Sequence, residues 1–497
     1  MGYTDLGAFG GHDIPTPNLD SLAMQGIRLT NFHASISCAP TRSMLMSGTG
    51  NHEAGLGTQR ASAFDGLPGY ERHISNRVLT LPERLQSAGY HTFMTGKWHL
   101  GKEAGVNLPG DRGFEQSFAQ IPGGFDHFKL KEGDELPSVG NTLRVPYTED
   151  GALIDELPDD YYSTNMFVEK MLGYLQESAE DDRPFFAWFA PTAPHWPLQV
   201  HPDWIGKMRG QYDEGYDALC FARQQAAQEM GILPEGADLT ICPEIATPWG
   251  ELSEQDKAIN SRVMELYAEM VIHLDHEFGR ILNYLKESGQ LANTYIIYHN
   301  DNGPEATEIF DNRSKLSRFN NALDNLGQRD SWVNVGQGWA DAQSAPFRNN
   351  KGSQFEGGTR VPAFITPPDS TTSGRMSESL LTVMDIAPTV LDLAGVEEVS
   401  TGTILPMRGK TFAKVLDDTS HIVHDANEPI ALDMAGDSVL IMGDWKIVRP
   451  NNTTQWGLFN VAIDPSETTD LALDEPSKLD QLITLYEEHA DNIGIQR

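Results

Sequence analysis

Ser37-Cys38-Ala39-Pro40-Thr41-Arg42-Ser43-Met44-Leu45-Met46-Ser47-Gly48 reads as a short helix with reactive groups at its start. Pro40 suits the first helical residue and Gly48 the stop. Cys38 is therefore expected just ahead of a helix N-terminus, where unpaired backbone N–H groups favour an anion. Arg42 follows at i+4, so its guanidinium, shaped for a tetrahedral oxyanion, falls on the face that holds Cys38. Cys38 by itself has three readings: a buried small hydrophobe, a thiolate nucleophile or a metal ligand.

Upstream, residues 16–26 have an N-cap residue, a proline at the first helical position and a closing glycine, with Leu19, Leu22 and Ala23 on one face. This predicts a short surface helix. Residues 27–32 alternate as a strand and deliver the chain to Cys38. Downstream, Gly48, Gly50, Gly55 and Gly57 mark an irregular loop, and His52 in it is read either as lining a pocket or as lying behind one. A helix over 81–89 and a strand over 90–94 then break into Thr95-Gly96-Lys97-Trp98-His99-Leu100-Gly101. The same grammar returns as 185–190 running into Pro194-His195-Trp196-Pro197, as 294–298 running into Asn300-Asp301-Asn302-Gly303, and as Lys351 ahead of a strand at 361–365. Such alternation is that of an α/β protein, in which ligands collect at the carboxyl ends of strands.

A long core helix is expected over 253–289, with Val263, Leu266, Met270, Leu274, Phe278, Ile281 and Leu285 at helical spacing, and His273 and Asp275 on it as surface or satisfied groups. The polar segment 305–345, with Trp332 and Trp339, is read as a wall of the substrate pocket. Residues 382–395 predict another core helix. Short strands over 439–442, 445–448 and 457–460, closed by a helix from near Asp474, predict a small α+β appendage.

Two domains are expected for 497 residues. With 71 Asp and Glu against 36 Lys and Arg, the net charge of -35 argues against nucleic acid and anionic membranes as partners. Three cysteines make no disulfide framework, and Cys220 and Cys242 would pair only by chance of geometry. Met1-Gly2-Tyr3-Thr4-Asp5 has neither a basic nor an apolar leader, and no run of about eighteen apolar residues occurs, so a cytoplasmic or periplasmic protein is expected.

Cys38-x-Pro40-x-Arg42, followed by Met44-Leu45-Met46-Ser47-Gly48, resembles the signature of type I sulfatases, in which that Cys is oxidised after translation to Cα-formylglycine. Taken singly, Lys97 and Lys351 read as solvated, His99 and His195 as structural, and Asp301-Asn302 as a turn. Together, Gly96-Lys97-Trp98-His99-Leu100-Gly101, Ala193-Pro194-His195, Asp301-Asn302-Gly303 and Lys351 before Gly357-Gly358-Thr359-Arg360-Val361-Pro362 follow the order and approximate spacing of that family, within the alkaline phosphatase superfamily. The resemblance covers nearly the whole chain. Thr41-Arg42-Ser43-Met44, Gly55-Leu56-Gly57-Thr58 and Pro194-His195-Trp196-Pro197-Leu198 look closest to bacterial arylsulfatases acting on small aryl esters.

The resemblance implies an α/β fold with a large mixed, mostly parallel sheet flanked by helices over residues 1–405, and a small C-terminal α+β domain of antiparallel strands and one helix over 406–497. It implies hydrolysis of small aryl sulfates; a polyanionic sulfated glycan would be repelled by the chain's charge. Formylglycine at position 38, hydrated to a gem-diol, would attack sulfur and give a covalent sulfate intermediate. One calcium ion per chain, with Arg42, Lys97 and Lys351, would offset the developing charge. His195, with Lys351, would protonate the departing oxygen, and His99 would take the proton from the remaining hydroxyl. Asp301 and Asn302 would give the cation hard oxygen ligands. The implied partners are a sulfate ester and the enzyme that generates formylglycine. The same scaffold also suits a phosphonate monoester or phosphodiester hydrolase, and a catalytically silent relative kept for binding.

Relatives begin with an apolar strand ending in Asp-Asp, directly before a segment like Gly2-Tyr3-Thr4-Asp5-Leu6-Gly7. The first, central strand and about half of the oxygen ligands are therefore expected to be missing, since such a cation takes 6–8. Without that strand, two neighbours would be left with unpaired backbone along a seam. Should this chain bind calcium tightly as it stands, Asp5 or Asp13 is the expected substitute ligand.

Overall fold

Alternation of apolar strands with helices folds into two mixed sheets packed between helices, with a third, antiparallel sheet near the C-terminus. The structure is a computed structural model describing residues 1–136, 143–233, 242, 244–368, 370, 374–398 and 402–496. The first sheet has the spatial order Ala152–Leu153, Tyr147–Glu149, Gln116–Gln120, His91–Lys97, Phe185–Ala190. His91–Lys97 lies parallel to both neighbours, with Lys97 opposite Gln120 and Gly96 opposite Ala190. The second has the order Arg375–Ser377, Ile27–Leu29, Ala363–Thr366, Ile296–His299. The single strand expected over 27–32 is divided: Ile27–Leu29 joins this sheet, and Phe32–His33 pairs instead with Leu381–Thr382. The α/β class and the flanking helices are as expected.

Phe185–Ala190 and Ile296–His299 each end their sheet, and each has one edge without a ladder partner among the described residues. Between them runs a cavity of about 760 Å³, with Phe186 and Trp188 on one wall and Ile297 on the other. Arg42, Lys97, Asp301 and Lys351 stand at one end of it. Met1 lies there too, its carbonyl accepting from Asn300 Nδ2 at 2.9 Å.

The helix Cys38–Ser47 is buried along its whole length and ends on Gly48 in the left-handed region, φ 66°. It begins two residues earlier than expected: Ser37 is the N-cap, Cys38 the first helical residue and Pro40 the third. The helix Pro17–Gln25 is not capped by the Thr16 side chain. Asp275, from the long helix Glu254–Glu287, accepts from Asn18 N and Leu19 N and takes over the cap. Asp275 and His273 are thus buried rather than at the surface, and His273 stacks on Trp204.

Segment 305–345 is not one loop. It contains short 3-10 turns at Asn312–Lys315 and Leu323–Asn325 and the helix Gln337–Ser344. Trp332 and Trp339 are fully buried and do not line the cavity: Trp332 packs on Trp196, and Trp339 on Tyr212, Tyr216 and Trp249. Cys220 and Cys242 form a disulfide, with Cα atoms 5.9 Å apart, which corrects the expectation that they would meet only by chance. The C-terminal sheet, Ile430–Met434, Asp437–Met442, Trp445–Arg449 and Gly457–Asn460, is antiparallel throughout and is covered by the helix Pro476–Ile493. Its other face continues the main core, where Ile430, Leu432 and Val439 pack with Leu29 and Met44. Among the described residues no helix is long and apolar enough to cross a membrane.

Candidate active site

Each expected site residue stands at the end of a strand, at a helix start or in a loop between elements. Lys97 closes the strand His91–Lys97, and two residues later His99 adopts φ 59°. A non-glycine residue in that region carries strain, which here turns the imidazole toward Cys38: His99 Nδ1 lies 3.3 Å from Cys38 Sγ. Gly123 leaves room for the ring, because a Cβ there would lie 2.4 Å from His99 Cε1. Arg42, one helical turn beyond Cys38, donates through Nε to Asp301 Oδ2 at 3.0 Å and through Nη1 to the Lys97 carbonyl. It therefore ties the helix to two strand ends.

Lys351 and Asp301 are held by a second backbone clasp. Lys351 N donates to Pro304 O at 3.0 Å, and Gly303 N donates to Gly358 O at 3.1 Å. Gly303 must be glycine, since a Cβ there would meet Gly357 O at 1.9 Å. Lys351 Nζ then lies 3.4 Å from His195 Nε2 and 2.9 Å from Glu305 Oε2.

Burial and like charge set the protonation states. Burial would raise the Cys38 thiol, but Lys97, His99 and Lys351 outweigh it and hold Cys38 well below its ordinary value. The position thus favours negative charge. Burial, then Lys351 and Lys97, push His195 well below the usual histidine range, leaving it neutral near pH 7. His99 is lowered by burial, partly offset by Cys38. Lys97 is lowered by burial, against the opposing pull of Cys38 and Asp301. For Asp301, burial is overcome by Arg42, Lys97 and Lys351, so its carboxylate stays ionised.

A hard cation fits part of this site. Asn302 Oδ1 is a buried oxygen without a protein partner, its Nδ2 being turned to Gly303 O at 2.8 Å. An ionised Asp301 beside an unsatisfied amide oxygen suits an oxygen-seeking ion, yet two residues fall short of the usual 6–8 ligands. Among the described residues no cluster of three or more His, Cys, Asp or Glu completes the set. Asp5 and Asp13 are committed elsewhere: Arg223 donates to Asp5 Oδ1 at 2.8 Å and grips Asp13, while Tyr267 and Tyr212 hydroxyls donate to the same two carboxylates. His52 is away from the cavity, buried against Tyr70 and Gly69 and lowered by burial to about 4.

Sequence reasoning passed over two residues that the site includes. Glu305 pairs with Lys351, and its nearness to Asp301-Asn302-Gly303 in the chain was the available signal. Trp188 lies under the Arg42 guanidinium, 5.4 Å from ring centre to Cζ, and only the strand pairing brings them together. The assembly as a whole, three cations and two imidazoles around Cys38 with a carboxylate behind, can hold a tetrahedral oxyanion and move protons on either side of it.

A family model described as Sulfatase matches residues 1–396. The chain is 38% identical to an uncharacterized sulfatase of Schizosaccharomyces pombe over 518 aligned residues, covering 100% of this chain and 92% of that one. It is 35% identical to the arylsulfatase of Klebsiella aerogenes over 424, covering 84% and 89%. Among solved structures, Ps i-CgsB in complex with k-i-k-neocarrahexaose superposes with a TM-score of 0.69 over 99% of this chain and 90% of that one. At 22% identity that likeness speaks for the fold alone.

Proposed function

The chain belongs to the sulfatase family and is a sulfuric ester hydrolase of the alkaline phosphatase superfamily, and from that premise we propose that it hydrolyses small aryl sulfates through a formylglycine made from Cys38. The observation that carries the reading is the setting of Cys38: it opens a buried helix, touches His99, and faces the charge of Lys97 and Lys351. A hydrated aldehyde at this position supplies a nucleophile that an ordinary thiol does not, with a second hydroxyl from which the aldehyde can reform. Arg42, Lys97 and Lys351 bind and orient the sulfate oxygens. His99, whose Nδ1 lies 3.3 Å from Cys38 Sγ, would take a proton there. His195 and Lys351, 3.4 Å apart, would together face the departing alcohol. Asp301 and Asn302 would hold a divalent cation, calcium on family grounds, which when bound adds positive charge against the sulfate. An aryl leaving group suits the pocket rim, where Trp196 packs beside His195 with ring centres 4.3 Å apart.

A peptide mass spectrum of the Cys38 region tests the nucleophile, since conversion of thiol to aldehyde removes about 18 Da. Turnover of p-nitrophenyl sulfate above that of a p-nitrophenyl phosphonate monoester is expected. The reverse order would favour the phosphonate reading, and turnover of neither by fully converted protein would favour a silent relative.

A further inference from the structure

Glu305 touches Lys351, which in turn lies beside His195. Its Oε2 lies 2.9 Å from Lys351 Nζ, which lies 3.4 Å from His195 Nε2. On the other side of that imidazole, Nδ1 lies 3.1 Å from the Trp196 carbonyl. A carbonyl only accepts, so Nδ1 holds the ring proton and Nε2 accepts from the Lys351 ammonium. The imidazole therefore has no proton to give on the side it turns to Lys351. The transferable proton stands on Lys351.

We propose that Glu305 is a positioning residue completing a carboxylate–ammonium–imidazole relay, in which it holds the Lys351 proton against His195 Nε2 for delivery to the leaving oxygen. When the bond between sulfur and that oxygen breaks, the electron pair stays on oxygen and takes the Lys351 proton, directly or across Nε2. Lys351 is left as an amine and regains a proton from water.

Glu305 is built for the task. Thr307 Oγ1 donates to its Oε1 at 2.7 Å. Burial would raise its carboxyl, but Lys351, Thr307 and Trp196 bring it to about 2, so it is ionised at every working pH. The charged and titratable groups around Lys351 are Glu305, Cys38, Asp301, Lys97, His195 and the Met1 amino group. Burial lowers Lys351; Glu305, ahead of Cys38 and Asp301, more than restores it above its ordinary value. Asp301 is shared with Arg42, which leaves Glu305 as the anion belonging to Lys351.

The role in turnover rests on the sulfatase reading above, so the first test is independent of it. Competitive acetylation of the intact protein, with Lys351 followed by peptide mass spectrometry, should label Glu305→Gln about tenfold faster than the parent at pH 9, with Glu305→Asp near the parent. Equal labelling in all three overturns the proposal, whatever the enzyme hydrolyses. In turnover, Glu305→Gln should lose about 10–100-fold on phenyl sulfate and far less on p-nitrophenyl sulfate, whose leaving group needs no proton. The alkaline limb of the phenyl sulfate profile should move to lower pH in Glu305→Gln and not in Glu305→Asp. Equal losses on both esters with an unmoved limb would reduce Glu305 to a loop support and overturn the relay. A parent protein that hydrolyses no sulfate ester refutes the reading of the reaction, while the acetylation result still decides whether Glu305 holds the Lys351 proton.

Discussion

Lys446→Met should destabilise the protein more than any other single change in the C-terminal sheet. Lys446 is fully buried, its Nζ 2.7 Å from Glu356 Oε1 and 3.0 Å from Glu467 Oε1. Glu356 keeps His33 Nε2 at 3.1 Å and Arg360 at 3.5 Å after the change, but among the described residues the Glu467 carboxylate keeps only the Glu356 backbone N–H, at 2.6 Å. Removing one partner from a buried ion pair costs about 3–5 kcal/mol. For a chain of 497 residues this is a Tm drop of roughly 3–5 °C, at about 1 °C per kcal/mol. The loss should depend on pH. Burial raises the Glu467 carboxyl from 4.5 to about 7, with Lys446 opposing and Glu356 adding to the rise. A folded value above the unfolded one means stability present at low pH and lost as pH rises through about 7. With Lys446 gone the folded value climbs further, so each pH unit above 7 should cost the variant up to about 1.4 kcal/mol more. Scanning calorimetry at pH 6 and pH 8 reads both effects, and adding Glu467→Gln should return part of the loss and remove its pH dependence. A Tm within 1 °C of the parent at both pH values would refute the claim that this triad holds the sheet to the core.

Cys38→Ala should abolish sulfate ester turnover while shifting Tm by no more than about 2 °C, since the thiol contributes little packing; appreciable turnover would end the formylglycine reading. Extending the chain before Met1 by one apolar strand ending in Asp-Asp should raise calcium affinity by calorimetric titration, Tm and turnover together; a gain in only one would separate the cavity from the metal site. Cys220→Ser should lower Tm by about 3 °C, because the disulfide closes 22 residues of chain, worth about 3 kcal/mol, and reduction of the parent should reproduce the shift.

What the sequence determined was whatever depends on residues near one another in the chain. The helix that opens at Cys38, its stop at Gly48, the strand-to-loop order at Lys97, His195 and Asp301, and the antiparallel strands near the C-terminus are set by local periodicity, prolines and glycines. Arg42, Lys97, His195, Lys351 and the Asp301-Asn302 pair, picked out because their spacing resembles a long family pattern, line one cavity between the two sheet edges. Tertiary structure alone decided the rest. Ile27–Leu29 and Phe32–His33 part into different ladders, since register depends on distant partners at 363–366 and 381–382. Asp275 caps a helix more than 250 residues upstream, and Cys220 meets Cys242, through contacts that no local pattern encodes. Glu305 is the clearest case. Its carboxylate reads as an ordinary loop acid until backbone hydrogen bonds from Lys351 to Pro304 and from Gly303 to Gly358 fold two loops together, and then it pairs with the Lys351 ammonium.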